Sequence, residues 1–249
     1  MTKQPPVLLV TGGGRGIGAA SVRAAVRKGT AVGFSYLRDD DAASALCGSL
    51  AAQGGRVLAM RGDVADPGFA RRFFDTAEAE LGPVHALVNN AGITGRIGPF
   101  ADLPLETMRR TVETNLLGTM LMAQEAVRRW EAAGIAGRMV NISSVASTLG
   151  AAGEYVHYAA TKAAVEALTI GLGKEVAAKG IRINAVAPGT AYTDIHAAAG
   201  APDRPARVVS RVPIARIAEP DEIAAAVLWL LSDEASYVTA TVLRVSGGL

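Results

Sequence analysis

VLLVTGGGRGIGAA, residues 7 to 20, is the stretch that decides the fold. Its first part, "VLLVT", is a continuous apolar run, as expected for a strand buried on both faces. Its last part opens a helical pattern that continues through "SVRAAVRKG" and closes at Gly29, a C′ position. Between them the chain turns through glycines. A strand that turns through glycines into a helix can hold a phosphate, because backbone N–H groups and the helix N-terminus face the anion. The spacing is T-G-x-x-x-G-x-G, through Gly12, Gly16 and Gly18. Residue 17 is Ile, which excludes G-x-G-x-x-G, and the absence of Gly-Lys-Ser/Thr excludes a Walker A loop. By itself the turn reads either as a nucleotide cradle or as a simple chain reversal.

Outward from this unit, short β-rich runs alternate with helical patterns. Strands are expected at 31–36, 56–64, 85–92, 138–144, 181–189 and within "YVTATVLRVSGG". Helices are expected near 40–53, 67–81, 103–133, 155–179 and 220–232. That alternation predicts an α/β fold, a doubly wound parallel sheet of about seven strands with helices on both faces. No composition break or low-complexity linker divides the chain, so residues 1–249 read as one Rossmann-type domain. The irregular segment is 190–215, with prolines at 202, 205 and 213; a loop of that length predicts a substrate lid or a disordered stretch.

Composition narrows the function classes. Half of the 249 residues are hydrophobic and 19% are charged, a globular balance. The formal net charge is +2 and there is no Lys/Arg run, which argues against nucleic acid. No window approaches the ~20 apolar residues of a membrane helix, and the N-terminus "MTKQPPVLLVTGGG" lacks a signal-peptide core. A cytoplasmic protein that neither enters nor binds a membrane is expected. The single cysteine, Cys47, cannot form an intrachain disulfide and reads as a small packing residue. No Cys/His/acid spacing suggests a metal.

The end of the second strand bears on the cofactor. There "GFSYLRDDD" puts Tyr36 where an acid would accept from an adenosine ribose 2′-OH. Arg38 stands two residues on and Arg15 lies in the glycine loop, a pair suited to a 2′-phosphate. The expectation is NADP, with NAD as the alternative should Asp39, Asp40 or Asp41 reach the ribose.

Tyr158 and Lys162, in "YVHYAATKAAVEAL", are four apart on a predicted helix, hence about 40° apart on one face. An ammonium beside a phenol stabilises the phenolate and suits the pair to proton exchange with an alcohol or carbonyl. Three short motifs fall at the carboxyl ends of predicted strands, where ligands bind in open α/β sheets: "NNAG" at 89–92, "NISS" at 141–144 and "APG" at 187–189.

With these motifs in order along the chain, the sequence resembles the short-chain dehydrogenase/reductase family of the classical type. T-G-x-x-x-G-I-G, D-V, N-N-A-G, the Asn of "ETNLLG", S-S, Y-x-x-x-K and P-G cover essentially its whole length. The details point toward the branch of bacterial glucose-dehydrogenase-like and 3-oxoacyl-ACP-reductase-like enzymes. The resemblance implies that Tyr158 is the general acid/base and that Lys162 lowers its pKa and bonds the nicotinamide ribose. It implies that Ser144 polarises the substrate oxygen and that Asn115 ties Lys162 into a water relay. It assigns Gly12, Arg15, Gly16, Ile17 and Gly18 to the cofactor's phosphates, Tyr36 and Arg38 to its ribose end, and Asp63 and Val64 to the adenine. Asn90, Ala91 and Gly92 flank the cofactor, and Pro188, Gly189 and Thr193 surround the carboxamide. It also implies a homotetramer, or a dimer, acting on a small-molecule substrate.

Three departures accompany the match. Ser144 is fourteen residues before Tyr158 rather than thirteen, which leaves Ser143 as a second candidate. Tyr192 is bulky and is expected to reshape the entrance near the carboxamide. Arg244 stands where an acid is common. His157 and His85 read as packing residues, and His196 as a possible substrate contact in the lid; Tyr155 is a base only if the register shifts. The expected activity is an NADP-linked carbonyl reductase or alcohol dehydrogenase. The alternatives are an acyl-carrier-protein ketoreductase, hinted at by the Arg-rich 204–216 segment, and a non-catalytic nucleotide sensor.

Overall fold

The computed structural model describes residues 6–249; residues 1–5, part of the stretch read above for a signal peptide, lie outside the described residues. Seven strands are present: β1 Val7–Val10, β2 Ala31–Tyr36, β3 Val57–Arg61, β4 Val84–Asn89, β5 Arg138–Ile142, β6 Arg182–Pro188 and β7 Val242–Val245. They form one sheet in the order β3-β2-β1-β4-β5-β6-β7, parallel throughout. The order reverses between β1 and β4, so the crevice for a ligand opens above their carboxyl ends.

The helices are α1 Gly16–Arg27, α2 Asp40–Ala51, α3 Phe69–Leu81, α4 Leu105–Val112, α5 Gly118–Ala133, α6 Ala146–Leu149, α7 Val156–Val176, α8 Ile195–Ala198, α9 Arg204–Val208 and α10 Pro220–Leu231. Among the described residues, none is long and apolar enough to cross a membrane. The two-residue period of β1 splits the core between the sheet's faces. Val7 and Leu9 pack with Phe69, Phe73 and Phe74 of α3 and with Met122 and Trp130 of α5. Leu8 and Val10 pack with Val22 of α1, Leu46 of α2 and Ile223 and Val227 of α10. Cys47 packs against this second layer, as a small apolar residue does. Trp130 is fully buried, with its indole N–H donating to the Val84 carbonyl at 2.8 Å. A Cβ on Gly137 would lie 2.1 Å from that indole, so the chain can cross the ring only as glycine.

Three strands, one helix and one irregular segment differ from the sequence reading. The strands expected to reach 64, 92 and 144 stop at Arg61, Asn89 and Ile142. At β4 the reason is plain: the Asn90 and Ala91 amides both donate to the Thr11 hydroxyl at 3.0 Å instead of to a ladder. The single helix expected over 103–133 is two helices joined by a π turn, Glu113–Leu117. The widened turn carries Asn115 inward, and Gly118 follows it so close to Val64 that a Cβ there would lie 2.7 Å from Cγ2. Segment 190–215 is ordered: it holds α8, α9 and a 3-10 turn, Val209–Arg211.

Candidate active site

The glycine turn sits at the carboxyl end of β1. Gly12 and Gly16 have φ of 62° and 54°, conformations that favour glycine. A Cβ on Gly18 would lie 2.3 Å from the Gly12 carbonyl oxygen, so α1 can approach the turn only without a side chain there. The Asn90 amide donates to the carbonyls of Thr11 and Gly12, both at 2.9 Å, and so ties the end of β4 to the turn. Arg15 occupies the N-cap of α1 and makes no capping bond, and the first turn of α1 carries no acid. Ile17 and Gly18 lie in the first turn of this uncapped helix, a kind of start whose backbone N–H groups can meet an anion. α10, by contrast, closes its own N-terminus with a capping box formed by Glu219 and Glu222.

β2 ends at Tyr36, as its sequence suggested. Tyr36 lies against the glycine turn, since a Cβ on Gly14 would be 3.5 Å from its Cβ. Two of the three acids that follow are committed elsewhere, and the third, Asp41, lies in the first turn of α2. Asp39 caps α2 by accepting from the Ala42 amide at 2.9 Å. Asp40 accepts from the Tyr36 hydroxyl at 2.9 Å and pairs with Arg61 at 3.3 Å. Arg38 and Arg15 have no ion-pair partner among the described residues. Asp63, at the end of β3, accepts from the Ala65 amide at 2.9 Å and pairs with Arg110. Val64 is buried beside it.

Tyr158 and Lys162 project from the first turns of α7 and are both buried. Lys162 Nζ donates to the Ile142 carbonyl at 2.7 Å and lies 5.6 Å from the centre of the Tyr158 ring. Burial lowers the ammonium from its usual range to about 8. Burial also pushes the Tyr158 phenol well up, against the smaller downward pull of the Ser144 hydroxyl. In the protein alone the phenol is thus held protonated by desolvation, and the groups that pull it down are Ser144 and Arg204.

The two candidate serines make different contacts. Ser144 Oγ accepts from the Ala146 amide at 3.1 Å, which leaves its hydrogen for the Tyr158 side. Ser143 Oγ donates to Glu166 at 2.7 Å. Asn115 is fully buried. Its amide accepts from the Ile93 N–H at 2.8 Å, donates to the Ile93 carbonyl at 2.8 Å and to Thr161 Oγ1 at 3.1 Å. Gly92 lies between Asn115 and Lys162: a Cβ there would be 3.3 Å from Asn115 Oδ1 and 3.4 Å from Lys162 Nζ.

The opposite wall comes from β6 and the segment after it. Pro188 ends β6, and a Cβ on Gly189 would lie 2.9 Å from Ser246 Cα. Thr193 packs over the glycine turn, 3.1 Å from where a Gly16 Cβ would be. Tyr192 beside it is half-exposed. Arg244 donates to the Thr148 hydroxyl at 2.7 Å. His157 is bonded through Nε2 to the Thr94 carbonyl at 2.7 Å, and His85 Nδ1 accepts from the Val7 amide at 3.5 Å. Tyr155 stands edge-on to Tyr158, with ring centres 5.3 Å apart.

Two groups escaped the sequence reading. Glu166 accepts from both Ser143 and Ser147 at 2.7 Å, bracketing Ser144 from below. Its place one turn beyond Lys162 on the same helix was the available signal. The other is Arg204 of α9, which forms a forked pair with Glu154 at 2.7 to 3.2 Å and stacks 4.9 Å over the Tyr155 ring. No local motif marks a pair fifty residues apart.

The residues present fit a dinucleotide. The turn is shaped by glycines, the helix start it feeds is uncapped, and Arg15 at that start has no acid partner among the described residues. Among the described residues, no cluster of His, Cys, Asp and Glu could hold a metal.

A family model described as enoyl-(acyl carrier protein) reductase matches residues 12–249. The chain is 42% identical over 244 residues to the uncharacterized oxidoreductase YgfF of Escherichia coli (strain K12), covering 97% of this chain and 99% of that one. It is 41% identical over 245 residues to the cis-4-hydroxycyclohexanecarboxylate dehydrogenase of Sinomonas cyclohexanicum, covering 97% and 95%. Among solved structures, a short-chain type dehydrogenase/reductase from Mycobacterium marinum superposes with a TM-score of 0.92 at 31% identity, over 98% of this chain and 95% of that one. A blue fluorescent protein from a metagenomic library, in complex with NADPH, superposes with a TM-score of 0.89 at 34% identity, over 98% of both chains.

Proposed function

The chain belongs to the short-chain dehydrogenase/reductase family of NAD(P)-dependent oxidoreductases, and from that premise we propose that it transfers hydride between NADP(H) and a carbonyl or secondary alcohol, with Tyr158 as the general acid/base. The observation that carries this reading is the convergence of Tyr158, Lys162 and Ser144 beside the crevice at β1 and β4.

The nicotinamide, when bound, supplies or accepts the hydride. The protein's part is charge and geometry. In reduction, the carbonyl oxygen gains negative charge as hydride reaches its carbon. Ser144 donates a hydrogen bond to that oxygen, and the Tyr158 O–H breaks to deliver the proton that makes the alcohol. A phenol held protonated by burial is suited to this direction. Lys162 keeps a positive charge beneath the phenol, and Asn115 holds the Gly92–Ile93 turn that separates the two side chains.

The preference for NADP rests on Arg15 and Arg38. Both are free to meet a 2′-phosphate, while Asp39 and Asp40 are engaged with Ala42, Tyr36 and Arg61. The NADPH bound to a similar structure supports the same choice. Within the proposal, the protein is a homotetramer and cytoplasmic. The exposed Val112, Leu117 and Met120 near the π turn, with Val156 and Ile170 on α7, support an apolar contact between copies. The acyl-carrier-protein alternative loses its hint. Of the four arginines in 204–216, three are paired, with Glu154, Asp203 and Glu222.

Titrating the protein with NADPH and NADH by fluorescence tests the cofactor, and a panel of ketones tests the chemistry. Tight NADPH binding with oxidation by a ketone is the expected result. Binding of neither nucleotide would overturn the proposal.

A further inference from the structure

Two buried polar side chains, His196 and Arg204, lie near the partly buried Glu154. His196, on α8, is 7% exposed, and its Nδ1 has no hydrogen-bond partner. Arg204, on α9, is 8% exposed. It donates to Glu154 through Nε and one terminal nitrogen; its other terminal nitrogen makes no hydrogen bond among the described residues. Burial is the first cause that holds His196 neutral, with a pKa near about 4, and the positive charge of Arg204 is the second.

We propose that His196, Arg204 and Glu154 form a polar subsite of the substrate pocket that receives a hydroxyl of a neutral, polyhydroxylated substrate and disfavours a carboxylate. This rests on the reading of Tyr158 as the reacting acid/base. The subsite is joined to Tyr158 by two ring contacts: Tyr158 to Tyr155 at 5.3 Å, and Tyr155 to the Arg204 guanidinium at 4.9 Å. Tyr155 is thus the side chain shared by the acid/base and the subsite, in contact with both.

The charge balance selects the substituent. Glu154 already cancels Arg204, and His196 is neutral, so the subsite has no net charge. An entering carboxylate would be a third charge without a counter-ion, close to the Glu154 carboxylate. Taking such a group out of water without a counter-charge is strongly unfavourable. An apolar substituent would leave His196 Nδ1 buried and unpaired, a standing penalty. A hydroxyl both donates and accepts. It can give its hydrogen to His196 Nδ1 or to a spare lone pair of Glu154, and accept from the idle nitrogen of Arg204.

Three alcohols that share a ring and a reacting carbinol, and differ only in the distal group, test this: cyclohexanol, cyclohexane-1,4-diol and 4-hydroxycyclohexanecarboxylate. Each is assayed for oxidation with NADP⁺. The diol is expected to exceed cyclohexanol in kcat/KM by roughly tenfold, the worth of one net buried hydrogen bond, and the carboxylate to fall below both. His196→Phe should bring the diol to cyclohexanol ratio to about one. Glu154→Gln leaves the Arg204 charge uncompensated and should move the carboxylate above the diol. Equal rates for diol and cyclohexanol, a carboxylate preferred by the unaltered protein, or a preference indifferent to both variants would overturn the subsite. Reduction of 2,3-butanedione with NADPH, which is too small to reach the subsite, separates the two claims. If the diketone is reduced but the ring series is refused or misordered, the subsite alone falls. If the diketone is also untouched, the reductase reading falls and takes the subsite with it.

Discussion

Replacing Lys162 with Met should stabilise the cofactor-free protein at neutral pH while it abolishes activity. Lys162 is 4% exposed, and burial lowers it from 10.5 to about 8. Each unit is worth ~1.4 kcal/mol, so the charged ammonium costs the folded state about 3 kcal/mol at pH 7. Met removes that cost. It also leaves the Ile142 carbonyl without its 2.7 Å donor, which returns about 1–3 kcal/mol. The net at pH 7 is a gain of about 0–2 kcal/mol. The pH dependence isolates the charge. Between about 8 and 10.5 the unfolded chain holds the Lys162 proton and the folded chain has released it. The unfolded state then binds more protons, so the stability of the native sequence rises with pH relative to the variant. The variant's advantage should therefore fall by about 3 kcal/mol across that window and reverse. Urea unfolding of both proteins at pH 7, 8, 9 and 10, followed by circular dichroism, measures it. A difference that is flat in pH, or that grows in the variant's favour as pH rises, would refute the burial argument.

Arg38→Ala should weaken NADPH roughly 10- to 100-fold, the worth of one charge-assisted hydrogen bond, and leave NADH within about twofold; fluorescence titration of both cofactors checks it. Ser144→Ala should lower kcat/KM for ketone reduction about 10²-fold or more, whereas Ser143→Ala, facing Glu166, should act mainly on thermal stability; paired steady-state and melting measurements separate them. Because burial holds the Tyr158 phenol protonated, ketone reduction should be flat through neutral pH and decline only in strong alkali. Alcohol oxidation, which needs the phenolate, should climb steadily from pH 7 to 10. Opposite slopes for the two directions would contradict the assignment.

Much of this was legible in the chain. The apolar run of β1, the turn through Gly12 to Gly18 and the strand-helix alternation fix a parallel sheet, because each signal is local and periodic. The end of β2 was read correctly, at Tyr36. What the sequence could not give is long-range. The helix signal runs unbroken through 113–117, since a π turn has no composition of its own, so the inward placement of Asn115 emerged only from packing. Serine spacing leaves Ser143 and Ser144 both open, and the bond from Ser143 to Glu166 is a contact that spacing does not reveal. Segment 190–215 looked like loop because its helices are four and five residues long, below the reach of periodicity. The pairing of Arg204 with Glu154 links positions fifty apart and is invisible to any motif.

The most direct test of the account is single-turnover reduction of a ketone by NADPH-loaded protein, with Tyr158 intact and as Tyr158→Phe, beside NADPH affinity measured on the same samples. The account predicts unchanged NADPH binding and a hydride-transfer rate lower by about 10²- to 10⁴-fold, the range for loss of a positioned general acid. A Tyr158→Phe protein that reduces the ketone at the native rate would contradict it.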